Sequence, residues 1–199
     1  MMSLPIFYPL LDSVEGVELA ARLGVRFAQL RIKSGGHETI RDNIRQSLAI
    51  AREANMMLVI NDHWQLAIEE GADWVHLGQE DLIQADVNAL RRAGISLGIS
   101  THSQEELERA LLLNPDYIAL GPIYPTQTKS LTWSAQGLGR ISEWKAQLGQ
   151  IPLCVIGGIT LERSSAVLAS GADIIAVVSD VSLHPDPSER IREWLSCYC

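Results

Sequence analysis

The chain has little cysteine, an excess of acid over base and no long apolar run, and each shortage narrows what it can be. Its three cysteines, Cys154 inside an apolar stretch and Cys197 and Cys199 at the C-terminus, supply neither a disulfide framework nor the four-ligand spacing of a structural zinc site. With 16 Lys and Arg against 24 Asp and Glu the net charge is -8, which excludes a broad nucleic-acid surface or an anionic-membrane surface. Any anion must then be gripped locally. No apolar run approaches the roughly 20 residues of a membrane span. The N-terminal MMSLPIFYPLLDS lacks the basic region and small-residue cleavage site of a secretory signal, so the cytoplasm is the expected location. No H-x-x-x-H pair accompanies His63, His76 or His102, which argues against catalytic zinc as well.

What is present is regular alternation. Hydrophobic residues make up 47% of the chain and charged ones 20%, enough for one core, and no Pro- or Ser-rich linker divides it, so residues 1–199 are expected to form a single domain. Short β-branched apolar runs alternate with amphipathic stretches such as ETIRDNIRQSLAIAREAN and SQEELERALLLN. Eight strands are predicted, over 6–11, 27–33, 57–62, 74–79, 96–100, 117–124, 153–159 and 174–179. LGVRFAQLR, EGADWVHLG, RAGISLGIS and SGADIIAVV each place a Gly just before a strand, where a helix can end in a left-handed cap. Repeated strand and helix units of this number predict an α/β, single-domain (β/α)8 TIM barrel rather than a doubly wound open sheet, whose Gly-rich first loop is missing.

In such a barrel the C-terminal ends of the strands converge on one mouth, so the polar residues there are the candidates. Gln29, Arg31 and Lys33 alternate with Leu30 and Ile32 and would share one strand face. Two cations on such a face call for nearby acids or for a phosphate-bearing ligand. Asp62 and Asp81 end neighbouring strands, where they could hold Mg²⁺ beside a diphosphate; helix capping is the alternative for each. Thr126, Thr128 and Lys129 lie in the longest irregular segment, PTQTKSLTWSAQG, where a lysine between hydroxyls could close over a charged substrate. Gly157 and Gly158 in VIGGIT precede a helix and, with the VVSD segment, fit a backbone phosphate site after strands seven and eight, although a tight turn alone would also explain the glycines. His76 reads as a packing or orienting residue, and the five Trp mostly as helix or strand packing, although Trp133 in the long loop could contact a ligand.

QLRIK, INDHWQLA, VHLGQEDL, GISTH, ALGPIYPTQTK, VIGGIT and IAVVS appear in this order across nearly the whole chain. Together they resemble the thiamine-phosphate synthase family, especially its enterobacterial form. The segment after Lys33, SGGHETIRD, departs from the acidic residue that many relatives carry there. The resemblance implies two small-molecule substrates, a pyrimidine diphosphate and a thiazole phosphate, joined with release of diphosphate. It implies that Asp62 and Asp81 hold Mg²⁺ and that Arg31, Lys33 and Lys129 grip the diphosphate. Gln29, Asn61 and Ser100 would hydrogen-bond the aminopyrimidine, and Thr126 and Thr128 would lie around the diphosphate and thiazole. Gly158, Val178 and Ser179 would offer backbone groups to the thiazole phosphate. Arg31, Lys33, Lys129 and Ser100 would carry the catalytic burden. Two other readings stand beside this one: a thiazole tautomerase, which would not need the diphosphate and metal set, and a phosphate-binding barrel without turnover. Homo-oligomerisation is compatible with all three.

Overall fold

The computed structural model of the chain describes residues 4–125 and 134–198. In chain order the first elements are β1 (Phe7–Leu11), α1 (Val14–Leu23), β2 (Phe27–Leu30), α2 (His37–Glu53), β3 (Met57–Asn61), α3 (Trp64–Glu69), β4 (Trp74–Leu77), α4 (Gln79–Gln84) and α5 (Val87–Arg92). They are followed by β5 (Ser96–Thr101), α6 (Gln104–Leu111), β6 (Tyr117–Leu120), α7 (Gly137–Leu148), β7 (Leu153–Ile156), α8 (Leu161–Ala169), β8 (Ile174–Val177), α9 (Ser179–Ser182) and α10 (Pro187–Tyr198). The strands pair in sequence order, β1 to β8, and close into a barrel, the (β/α)8 architecture that the alternation of strands and helices predicts.

Strands buried on both faces read as continuous apolar runs, and β2, β6 and β8 are buried at every position. Each strand lies where it is predicted, but most stop short: β2 ends at Leu30 rather than at 33, β6 at Leu120 rather than at 124, and β7 at Ile156 rather than at 159. The residues left over include Gly121, Pro122, Gly157 and Gly158 and the charged Arg31 and Lys33, together with Ile32, Ile123 and Ile159, which stay buried. Single backbone bonds still carry the pairing a little further, as from the Arg31 amide to the Leu11 carbonyl at 2.7 Å and from the Ile123 amide to the Ile156 carbonyl at 2.9 Å. The glycines before the strands behave as expected: Gly24, with a φ of 90°, closes α1, and Gly71, Gly94 and Gly171 also have positive φ.

Two compact units are distinguished along the chain, Pro9–Gly98 and Met1–Tyr8 with Ile99–Cys199. Within the first, Leu10 pairs with Gln29, Gln29 with Val59, and Asn61 with His76, so the polar residues occupy corresponding strand ends. Phe27 meets Trp74 edge-on with ring centres 5.9 Å apart, while Arg41 and Arg45 of α2 bind Glu69 and Glu70 at the end of α3. Within the second, the Tyr8 and Tyr117 hydroxyls hydrogen-bond at 2.9 Å in the interior. Buried Trp144 of α7 donates to the Thr101 hydroxyl at 3.2 Å, which itself donates to the Ala119 carbonyl at 3.0 Å. Phe7 stacks on Trp194 at 5.1 Å, seating α10 on β1.

Candidate functional site

In the unit spanning 9–98, three strand ends bring polar residues forward. Gln29 is buried inside β2, Arg31 is half-buried one residue past it, and Ile32 is buried again. Lys33 is exposed in the loop before α2, so the face expected to carry Gln29, Arg31 and Lys33 keeps only the first two. The chain that follows, Ser34, Gly35 and Gly36, offers no apolar side chain to continue the strand.

Asn61, the last residue of β3, is buried, and Asp62 follows with a φ of 63°, a left-handed conformation uncommon for a residue with a side chain. The turn is fixed from both sides: the Asp62 amide donates to the His76 carbonyl at 3.0 Å and the Trp64 amide to the Asp62 carbonyl at 2.7 Å. The ring of His63, whose Nε2 lies 3.1 Å from the Ile32 carbonyl, ties this turn to the loop after β2. Such a backbone conformation aims the Asp62 side chain where a regular strand would not.

That side chain meets Asp81, in the first turn of α4. Burial, then the charge of Asp81 and a hydrogen bond with it, push the Asp62 carboxyl above the usual carboxylate range, while Arg31 and a hydrogen bond from Asn61 pull it back. Asp62, Asp81, Arg31 and Asn61 therefore form one interacting group. Capping accounts for neither acid: His63 and Gly78 hold the N-cap positions of α3 and α4 without a side-chain cap bond, and Asp86 caps α5 through a 2.9 Å bond from the Ala89 amide.

His76 on β4 is buried and held down to about 3, first by burial and then by the positive charge of Arg31. Its imidazole is neutral across the physiological range, which suits the orienting role expected of it and not proton transfer near neutrality. Among the described residues no group of three or more His, Cys, Asp or Glu is placed to hold a metal, so among them the two carboxyl groups are the acidic donors at this turn.

In the second unit, Ser100 is half-buried on β5, and Ser103 caps α6. The amide and ring Nδ1 of His102 lie 2.7 and 2.9 Å from one carboxylate oxygen of Glu106, which fixes that imidazole. Gln136 donates to the carbonyls of His102 and Gly121 at 3.0 and 3.1 Å, pinning the segment ahead of α7 to the ends of β5 and β6. Thr126, Thr128, Lys129 and Trp133 lie outside the described residues.

After β7, Gly158 has a φ of 64°, and a Cβ there would stand 2.6 Å from the Pro125 carbonyl oxygen. No side chain fits, so the bare backbone of the turn faces its neighbours directly. The Tyr124 amide donates to the Gly157 carbonyl at 2.9 Å. Arg163, lying over the Tyr124 ring at 4.6 Å, donates to the Gly158 carbonyl at 2.6 Å. Val178 follows β8 as the N-cap of α9 and Ser179 opens that helix, and Asp180, next in line, is held by buried Arg190 and by Trp194. Sequence reasoning missed Arg163 and Arg190. Both sit in amphipathic helices as ordinary polar residues, and nothing in the pattern marks their partners.

The family described as thiamine monophosphate synthase matches residues 8–181. The thiamine-phosphate synthase of Rhizobium etli is 50% identical over 195 residues, covering 98% of this chain and 96% of that protein. The enzyme of the same name from Salmonella typhimurium is 45% identical over 189 residues, covering 95% and 90%. Among solved structures, thiamine phosphate pyrophosphorylase from Pyrococcus furiosus superposes with a TM-score of 0.83 at 27% identity, over 96% of this chain and 94% of that one.

Proposed function

The chain belongs to the thiamine monophosphate synthase family, and we propose that it joins 4-amino-2-methyl-5-(diphosphooxymethyl)pyrimidine to a thiazole phosphate, giving thiamine phosphate and diphosphate, with residues 1–199 serving as one catalytic domain in the cytoplasm. The observation that carries the site assignment is the Asp62 and Asp81 carboxyl pair beside Arg31. Two carboxyl groups close enough to share a hydrogen bond are costly to ionise together, and a divalent cation or a proton relieves that cost. Two hard oxygen donors and no third acidic or imidazole ligand among the described residues match Mg²⁺, which keeps several waters and takes its remaining ligands from a substrate phosphate. When bound by Asp62 and Asp81, Mg²⁺ supplies electrophilic stabilisation of the charge that develops on diphosphate.

The bond to be broken joins the pyrimidine methylene carbon to the diphosphate oxygen. Its electron pair leaves with diphosphate, and the thiazole nitrogen contributes the pair that forms the new C–N bond. Arg31, with Lys33 and Lys129, balances the growing negative charge, which is electrostatic catalysis by groups already in place. Gln29, Asn61 and Ser100 hydrogen-bond the aminopyrimidine and orient the breaking bond. Thr126 and Thr128 flank the diphosphate and thiazole. The backbone at Gly158, Val178 and Ser179 receives the thiazole phosphate and holds the nitrogen for attack, so positioning supplies part of the rate. No protein nucleophile and no neutral-range base is needed, in keeping with a neutral, buried His76.

The test is coupled product formation. Purified protein given both substrates should release diphosphate and form thiamine phosphate in equal amounts, only with Mg²⁺, and Asp81→Ala should lose both. A folded wild-type protein that forms neither product would sink the proposal and move the weight to proton-shift chemistry on the thiazole or to binding alone.

A further inference from the structure

We propose that Arg190 is a positioning residue for the thiazole phosphate subsite, its one guanidinium tying the helix after the Gly157 and Gly158 turn to the segment after β8. The proposal rests on the reading that Gly158, Val178 and Ser179 receive the phosphate.

Arg190 lies on α10 and is 8% exposed. Its Nε and Nη2 donate to the two oxygens of Asp180, both at 2.9 Å, and Trp194 Nε1 donates to the same carboxylate at 2.8 Å. Nη2 also reaches Glu162, at 2.8 and 3.0 Å, and Nη1 reaches Glu193 at 2.8 Å. Asp180 directly follows Ser179, and Glu162 is in the first turn of α8, just beyond the turn that Gly158 ends. The two backbone segments assigned to the phosphate are therefore each held, within a few residues, by the same planar fork.

This geometry answers a question of spacing. Backbone amides bind a phosphate only when their separation matches its oxygens, and segments after two different strands have no shared hydrogen-bond ladder beyond β7 and β8 to set that separation. A fork with two-point contact to Asp180 and a further contact to Glu162 sets it, as a single ammonium could not. Its own platform is firm, because the Phe7 and Trp194 stack seats α10 on β1. The cluster is not an anion site itself: three carboxylates already surround the guanidinium, and they face it from α8, α9 and α10.

The test is steady-state kinetics with Mg²⁺, varying each substrate in turn, for wild type, Arg190→Lys and Glu162→Gln. All three proteins are also assayed with the thiazole alcohol, which lacks the phosphate. The KM for the thiazole phosphate should rise about tenfold in Arg190→Lys and about threefold in Glu162→Gln. The KM for the pyrimidine diphosphate and that for the thiazole alcohol should stay within about twofold, the split expected when binding at one subsite is lost. A merely structural role would move both substrates together, and that result, or an unchanged KM for the thiazole phosphate in both variants, overturns the proposal. Should Arg190→Lys fail to fold, Glu162→Gln decides, since that carboxylate is 69% exposed and its replacement leaves no buried charge unpaired. A wild-type enzyme that uses the alcohol as well as the phosphate ester removes the subsite reading itself. Discrimination by wild type that both variants retain removes only the role of Arg190.

Discussion

The Asp62 carboxyl hydrogen-bonds the carboxyl of Asp81, with Asp62 at the end of β3 in a left-handed backbone conformation and Asp81 in the first turn of α4. Two acids are thus held against each other where neither caps a helix. Such an arrangement costs stability and is retained where a cation is bound, so stability and activity should move in opposite directions when one acid is removed.

Asp81→Asn should make the metal-free protein more stable at pH 7, by about 1 kcal/mol or about 2 to 4 °C in Tm for a chain of this size. Asp62 is raised above its ordinary carboxylate value, so the folded state holds its proton more tightly than the unfolded chain and stability falls as pH rises through that range. The gain in Asp81→Asn should accordingly shrink towards about pH 3, below the ordinary carboxylate value, where Asp62 is mostly protonated in both states. The same variant should lose Mg²⁺-dependent turnover. Melts at the two pH values with an activity assay check this; equal or lower stability of the variant at pH 7 would show that the pair is not under strain.

His76 acts in the opposite sense. Its imidazole is held down to about 3 against an ordinary 6.5, so between those values the unfolded chain takes up a proton that the folded protein refuses, and stability falls as pH drops. The slope should be at most about 1.4 kcal/mol per pH unit. By NMR the His76 ring should show no titration between pH 5 and 8. A midpoint near 6.5 for His76 would mean that water reaches it.

The barrel was legible because its signals are local and repeated. Phe27 to Leu30 or Ile174 to Val177 is apolar at every position but one or none, and a Gly such as Gly24 marks each neighbouring helix end. Gln29, Asn61 and Asp62 were legible as polar residues where a parallel strand should have none. What stayed hidden depends on direction or on distant partners. The 27–33 run reads as a strand throughout, but β2 ends at Leu30 and Lys33 lies in the loop before α2. Arg190 reads as the polar face of SERIREW, and its partners Asp180 and Glu162 lie on other elements that the pattern does not bring to it. Asp86 rather than Asp81 caps α5, a choice of a few residues that periodicity does not make.

Thr101→Val should destabilise the protein with little effect on either substrate's KM. The Thr101 hydroxyl accepts from buried Trp144 Nε1 and donates to the Ala119 carbonyl, so the isosteric change leaves an indole N–H and a carbonyl short of a partner. A buried unsatisfied donor costs about 1 to 3 kcal/mol, whereas Thr101→Ser, which keeps the hydroxyl, should cost less than half as much. Urea titrations distinguish them; a loss for Val no greater than that for Ser would show that the two hydrogen bonds of the hydroxyl do not carry the effect.

Gly158→Ala tests the turn after β7 most directly. At a φ of 64° an alanine is strained, and its Cβ would press on the Pro125 carbonyl oxygen at 2.6 Å and on Tyr124 Cβ at 2.8 Å, neither of which is the free end of a flexible side chain. The backbone must move, and the Gly158 carbonyl that Arg163 holds moves with it. A stability loss of at least about 2 kcal/mol is expected. The loss of fit should also raise the KM for the thiazole phosphate by more than about tenfold, while Mg²⁺-dependent binding of diphosphate, assigned to Asp62, Asp81 and Arg31, should persist in calorimetric titration of the folded variant. If diphosphate binding vanished along with the thiazole phosphate, the two anion subsites could not be independent, and the division of labour between the glycine turn and the carboxyl pair would have to be given up.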